Sequence, residues 1–254
     1  MEMMNVNDAQ LAFERRGKGN PLVLIHGYPL EHTIWDQTAR LLENDFELIL
    51  PDVRGFGGST ALSTTYSMAD MAEELSAMLG HLKIEKAAFA GHSMGGYIAL
   101  EFAKKFPGRV SGMALVSSQI VADSEERKQG RYKTAVEVDR TGVGIVADAM
   151  TDKLSPNQSV RDVVRPMIKR QSKSGVMGAL KAMAEREDST ALFSTFKFPV
   201  VVLHGEADEL IPVERAREAK AVLPQANLLE LQGVGHMPMM EAPEKTAEAL
   251  RLLK

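Results

Sequence analysis

Apolar residues in this chain gather into short continuous runs, separated by stretches in which they recur every three or four positions. The runs are Leu22–Ile25, Phe46–Leu50, Ala87–Ala90, Val110–Val116, Val200–Leu203 and Leu228–Leu231. Short uninterrupted runs suit strands that are covered on both faces. Between them the spacing predicts helices. Ile34, Trp35, Thr38, Leu41 and Leu42 make one stripe, and Met68, Met71, Leu75, Met78 and Leu79 make another behind Ser67 as N-cap. Further helices are expected from Ile98 to Phe106, over Val213–Leu223 and over Ala242–Leu253. At the start, Leu11 and Phe13 alternate with polar residues around an Asn7-Asp8 turn, as in an edge hairpin. Strand runs alternating with helices predict an α/β fold, a mostly parallel sheet with helices on both faces.

The alternation breaks once. From Val121 to Lys197 no buried strand is legible, only charged amphipathic segments such as SEERKQGRYKTAVEVDR, VRDVVRPMIKRQ and SGVMGALKAMAERED. A structureless loop of that length is rare in a compact domain, so the stretch reads as a helical insertion between two strands. The expected organisation is a core of residues 1–120 and 198–254 interrupted by a helical unit over 121–197.

Composition narrows the function. The chain has 254 residues, 44% hydrophobic and 25% charged, which is ordinary globular usage. A net charge of −4 supplies no basic field for nucleic acid or an anionic membrane. No apolar run approaches the roughly 20 residues of a membrane span. MEMMNVNDAQLAFERRG carries no cationic flank, apolar core or small-residue cleavage site, so a cytoplasmic protein is expected. With no cysteine there are no disulfides, thiolate metal sites or cysteine nucleophiles. The histidines form no HExxH-like spacing, and no metal site is expected.

Candidate chemistry begins at Gly91-His92-Ser93-Met94-Gly95, between a predicted strand and a predicted helix. Roughly one chain in ten of this length carries G-x-S-x-G by chance, and a glycine-rich turn without chemistry fits the same residues. The strand before and helix after are what a nucleophile elbow requires, because its flanking residues must be tiny. A serine hydroxyl needs a base, and the base an orienting acid. In the elbow-bearing fold these follow in the order Ser, acid, His. Asp208 follows the run Val200–Leu203, and His236 follows Leu228–Leu231 between loop glycines. Glu206, Glu209 and Asp123 are rival acids. His92 is expected to point away from Ser93, His204 to be satisfied by loop backbone, and His32 and His81 to lack partners. Met94 and Tyr28 offer backbone N–H groups for a developing oxyanion. PDVRGFGGST lacks the lysine of a phosphate loop and reads as a turn with an Asp52–Arg54 pairing.

HGYP at 26–29, DVRGFGGS at 52–59, GHSMGG at 91–96, GEAD at 205–208 and GHMPMMEAP at 235–243 together resemble the α/β-hydrolase superfamily. The resemblance implies a mostly parallel eight-stranded sheet with helices on both faces, and a helical cap where the alternation breaks. It implies Ser93 as nucleophile, His236 as base and then acid, Asp208 as orienting acid, and an oxyanion hole from the Tyr28 and Met94 N–H groups. It implies no cofactor. HGYP is similar to the loop of epoxide hydrolases and haloalkane dehalogenases, but those carry aspartate where this chain has Ser93. The serine branch it resembles contains carboxylesterases and arylesterases, enol-lactonases and cofactor-free haloperoxidases (perhydrolases). A carboxylic ester hydrolase is the expected activity; a fold-bearing ligand sensor with little or no turnover is the rival of another class. Trp35, Met150, Met167, Met177, Met183, Phe193, Phe196 and Met237 are the candidate lining of an apolar pocket, which suits a small apolar ester or lactone. A monomer or homodimer is expected.

Overall fold

A computed structural model describes residues 1–254 except Asn7 and Leu62, so the expected Asn7-Asp8 turn lies partly outside the described residues. Eight strands form one sheet: β1 (Glu2–Val6), β2 (Ala9–Gly17), β3 (Asn20–Ile25), β4 (Phe46–Pro51), β5 (Ala87–His92), β6 (Val110–Val116), β7 (Val200–Gly205) and β8 (Asn227–Leu231). Their spatial order is β1-β2-β4-β3-β5-β6-β7-β8. β1 and β2 pair antiparallel, as do β2 and β4, and every later neighbour is parallel. Leu22, Leu24, Ile25, Phe89, Ala90, Val201 and Leu203 are buried completely, which is why the central strands read as unbroken apolar runs. Each large side chain buried in this way contributes about 1.5–3 kcal/mol.

The helices are α1 (Asp36–Leu42), α2 (Met68–His81), α3 (Met94–Lys105), α4 (Glu125–Thr141), α5 (Gly144–Leu154), α6 (Gln158–Lys169), α7 (Lys173–Ala184), α8 (Thr190–Phe193), α9 (Glu214–Val222), α10 (Pro238–Glu241) and α11 (Pro243–Arg251). α1 packs with α11, and α2 with α3. Ser67 caps α2 reciprocally with Asp70: each side chain takes a backbone N–H of the other. In the first helical stretch a 3₁₀ turn over His32–Trp35 precedes α1. That shifts the buried stripe, so Ala39 is buried while Leu41 is exposed. Helices α4 to α8 lie between β6 and β7, where a helical cap is expected. Among the described residues no helix is long and apolar enough to cross a membrane.

Candidate active site

β5 runs into α3 through Ser93, whose backbone sits at φ 51° and ψ −114°. A non-glycine residue held there stores about 1–3 kcal/mol and persists only where its surroundings force it. Here they do. A Cβ on Gly91 would collide with the backbone of Gly95 and Gly96, and one on Gly95 with the carbonyls of Ile25 and His26. The two glycines therefore let α3 lie directly against β5 and β3. The Ser93 N–H donates to the Val116 carbonyl (2.9 Å), and Ser118 Oγ donates to the Ser93 carbonyl (2.8 Å). Ser93 is thus raised at the N-terminus of a 12-residue helix, where free N–H groups and the helix dipole favour negative charge.

Asp208 follows β7 and His236 follows β8, and His236 Nδ1 lies 2.7 Å from Asp208 Oδ2. Asp208 Oδ1 accepts the N–H groups of Leu210 (2.9 Å) and Ile211 (3.0 Å), and His204 Nε2 stands 3.2 Å from Oδ2. Burial pushes the Asp208 pKa up, but the charge of His236 and the hydrogen bonds from His204, His236 and Ile211 outweigh it. The carboxyl is held far below the usual range and stays ionised. An Nδ1–H donated to Asp208 leaves His236 Nε2 as an acceptor.

The loop carrying His236 is fastened from three directions. Its N–H donates to the Leu154 carbonyl of the cap (3.0 Å), and its carbonyl accepts from His92 Nε2 (2.8 Å). The Glu241 carboxylate accepts the N–H groups on either side, Gly235 (2.9 Å) and Met237 (3.0 Å). Contrary to expectation, the His92 ring therefore backs the site, 4.8 Å from the His236 ring. Burial above all, then the charge of His236, holds the His92 pKa well below its ordinary value, so the ring is neutral.

The segment after β3 lies across Ser93. A Cβ on Gly27 would come within 2.6 Å of His92 Nδ1 and 3.0 Å of Ser93 Cβ, which only glycine avoids. DVRGFGGS braces this segment. The Val53 N–H donates to His26 Nε2 (3.0 Å), and the Asp52 carboxylate accepts from the His32 N–H, from His32 Nδ1 and from the Gly58 N–H (2.8, 2.8 and 2.7 Å). Two expectations are corrected here. Arg54 pairs with Glu74 and Asp8 instead of Asp52, because Asp52 is consumed by the brace; and His32 does have a partner. Burial lowers the His32 pKa, but the hydrogen bond and charge of Asp52, with Glu14 3.7 Å away, raise it overall.

Ser93 and His236 share a cavity of about 50 Å³ with Tyr28, Tyr97, Met150 and Met183. Arg127 and Arg131 of α4 also face it. Both arginines, Tyr28 and Met150 in turn line an adjoining chamber of about 570 Å³ between α4 and α5.

A family model for the alpha/beta hydrolase fold matches residues 20–243. The chain belongs to the α/β hydrolases. Among solved structures, a thermophilic esterase from Thermogutta terrifontis, studied with malate bound, is 36% identical. It superposes with a TM-score of 0.92 over 96% of this chain and 92% of that one. An enol-lactonase from Burkholderia xenovorans LB400 is 22% identical at a TM-score of 0.91, over 99% of both chains, and shares the fold. Among curated proteins, the dihydrolipoyllysine-residue acetyltransferase component of an acetoin cleaving system from Pseudomonas putida is 30% identical over 94% of this chain. This chain spans 64% of that longer protein.

Of the residues expected to line the pocket of this hydrolase, Met150 and Met183 reach the cavity beside Ser93. The others are taken up elsewhere. Trp35 and Met237 are buried completely, Met167 is buried in α6, and Met177 packs against the core. Phe193 and Phe196 stack edge-on with ring centroids 5.5 Å apart and are likewise buried. Tyr97, Arg127 and Arg131 line the cavity without having been singled out in the sequence. A signal existed for the arginines: Asp123, just before α4, and Arg127 and Arg131 within it recur every four residues. Asp123, the rival acid, is bound there by Arg131 and by Arg186 (2.9 Å), while Glu206 and Glu209 are exposed.

Proposed function

We propose that the protein hydrolyses small carboxylic esters through Ser93, His236 and Asp208. The observation that carries this reading is the buried Asp208–His236 pair at 2.7 Å, opening on the same small cavity as a serine on a strained elbow. His236 Nε2 takes the proton as Ser93 Oγ attacks the carbonyl carbon. The tetrahedral oxyanion accepts hydrogen bonds from the Met94 and Tyr28 N–H groups, each worth about 2.7–4 kcal/mol in the transition state. His236 returns the proton to the departing alkoxide, leaving an acyl-Ser93. Water, deprotonated by His236, then attacks the acyl carbon, and the acid leaves as Ser93 regains its proton. A lactone is an internal ester and follows the same steps. The 36% identical esterase supports the ester reading.

The test is steady-state turnover of a short p-nitrophenyl ester beside a Ser93→Ala control. Sustained turnover is expected, falling by about six orders of magnitude in Ser93→Ala. A single-turnover burst, or turnover that survives Ser93→Ala, overturns the reading.

A further inference from the structure

Two guanidinium groups face the cavity at Ser93, and among the described residues no carboxylate does. Their counter-charge lies outside it: Asp123, with a fully buried side chain, is shared by Arg127 (3.6 Å), Arg131 and Arg186. Three cations on one anion leave an excess of positive charge. Arg186 is held by three oxygens: Asp123 and the carbonyls of Met183 (2.9 Å) and Val121 (3.0 Å). Arg131 meets Asp123 through both Nε and Nη2, but its Nη1 and the Arg127 guanidinium have weaker partners. Arg131 turns Nη1 towards Met183 Sδ (3.3 Å), a weak acceptor, and Arg127 donates Nη2 to the Leu210 carbonyl (3.1 Å). A second observation points the same way. The Tyr28 hydroxyl is buried without a hydrogen-bond partner among the described residues, and Tyr28 lines the same cavity. An unpaired buried donor is costly unless a ligand completes it. Glu126 and Glu137 line the outer chamber and not the cavity at Ser93.

We infer that Arg127, Arg131 and the Tyr28 hydroxyl form a subsite for a carboxylate, so that the preferred substrate is a small ester carrying a second, ionised carboxyl on its acyl part. The inference rests on the hydrolase reading and deepens it. It replaces the apolar substrate expected from the methionines, of which only two reach the cavity.

The experiment compares monomethyl glutarate with methyl glutaramate, which has the same chain ending in a neutral amide, by titrating acid release. The wild type is expected to favour the carboxylate by about tenfold or more in kcat/KM, the scale of one charge-assisted hydrogen bond. Arg127→Gln and Arg131→Gln should each bring that ratio towards one. Arg131→Lys, which keeps a cation beside Asp123, should retain most of the preference and separates charge from folding defects. Equal kcat/KM for the two esters, or a preference untouched by either glutamine, overturns the subsite. Calorimetry on Ser93→Ala with free glutarate and with glutaramide reads the subsite without turnover. Glutarate should bind about tenfold more tightly or better, and equal binding overturns the subsite. If the p-nitrophenyl ester is turned over but neither glutarate ester is, the subsite is overturned; if none of the three is cleaved, the hydrolase reading fails and the calorimetry alone decides the subsite.

Discussion

Asp208 and Asp123 are both buried carboxylates near the ends of neighbouring strands, yet their surroundings give them different work. Asp208 faces two histidine rings and two backbone N–H groups; Asp123 faces arginines. Asp208→Asn should lower kcat by about 10⁴, because an amide cannot hold His236 in the tautomer that leaves Nε2 free. Asp123→Asn should cost about 3 kcal/mol or more in urea unfolding, since it leaves buried arginines unpaired, and comparatively little in kcat. His32 offers a pH test. Its folded pKa is raised above an unfolded value near 6.5, so its stabilisation is complete below that pH. It is lost as pH rises through the folded value. His32→Asn should therefore lower the urea midpoint more at about pH 5.5 than at about pH 8.5. The pairing of Asp208 with His236 is legible in sequence because each follows a recognisable strand run. The Asp52–His32 brace is not, because 20 residues and a crossover separate partners that share no periodicity.

At the scale of elements, the junction of β5 and α3 depends on absent side chains. Gly95→Ala should destabilise by about 1–3 kcal/mol in thermal unfolding, as α3 is pushed off the carbonyls at the end of β3. Gly80 is the control: near the end of α2 an added Cβ meets nothing within 4 Å, and Gly80→Ala should stabilise by about 0.5–1 kcal/mol. A reversal of these signs would remove the packing account of the elbow. The parallel strands are legible because burial on both faces makes them uniformly apolar. The first helix is less so: the 3₁₀ turn before α1 resets the register and turns Leu41 outward. In the cap, a methionine's position along its helix does not say whether it faces the core or the cavity, so the lining could not be read from spacing.

Across the whole molecule the cap is joined to the core unevenly. On one seam Gln171 Oε1 accepts from the Gly57 N–H (2.9 Å), Ser172 Oγ donates to the Gly55 carbonyl (2.6 Å) and the Tyr66 hydroxyl donates to the Gly175 carbonyl (2.8 Å). Gly55 and Gly175 meet so closely that a Cβ on either would strike the other's backbone. Helix α4, which packs against α7, is by contrast largely exposed, burying only Ala135 and Val138. Amide exchange should accordingly be faster along α4 than along α7, and equal protection of the two would contradict this asymmetry. The bond from the His236 N–H to the Leu154 carbonyl bears on engineering. A chimaera that exchanges this cap for another would also exchange the carbonyl that fixes the histidine's backbone. Grafts that keep residues 154–156 native should hold that histidine in place, whereas grafts that replace them would alter turnover as well as selectivity.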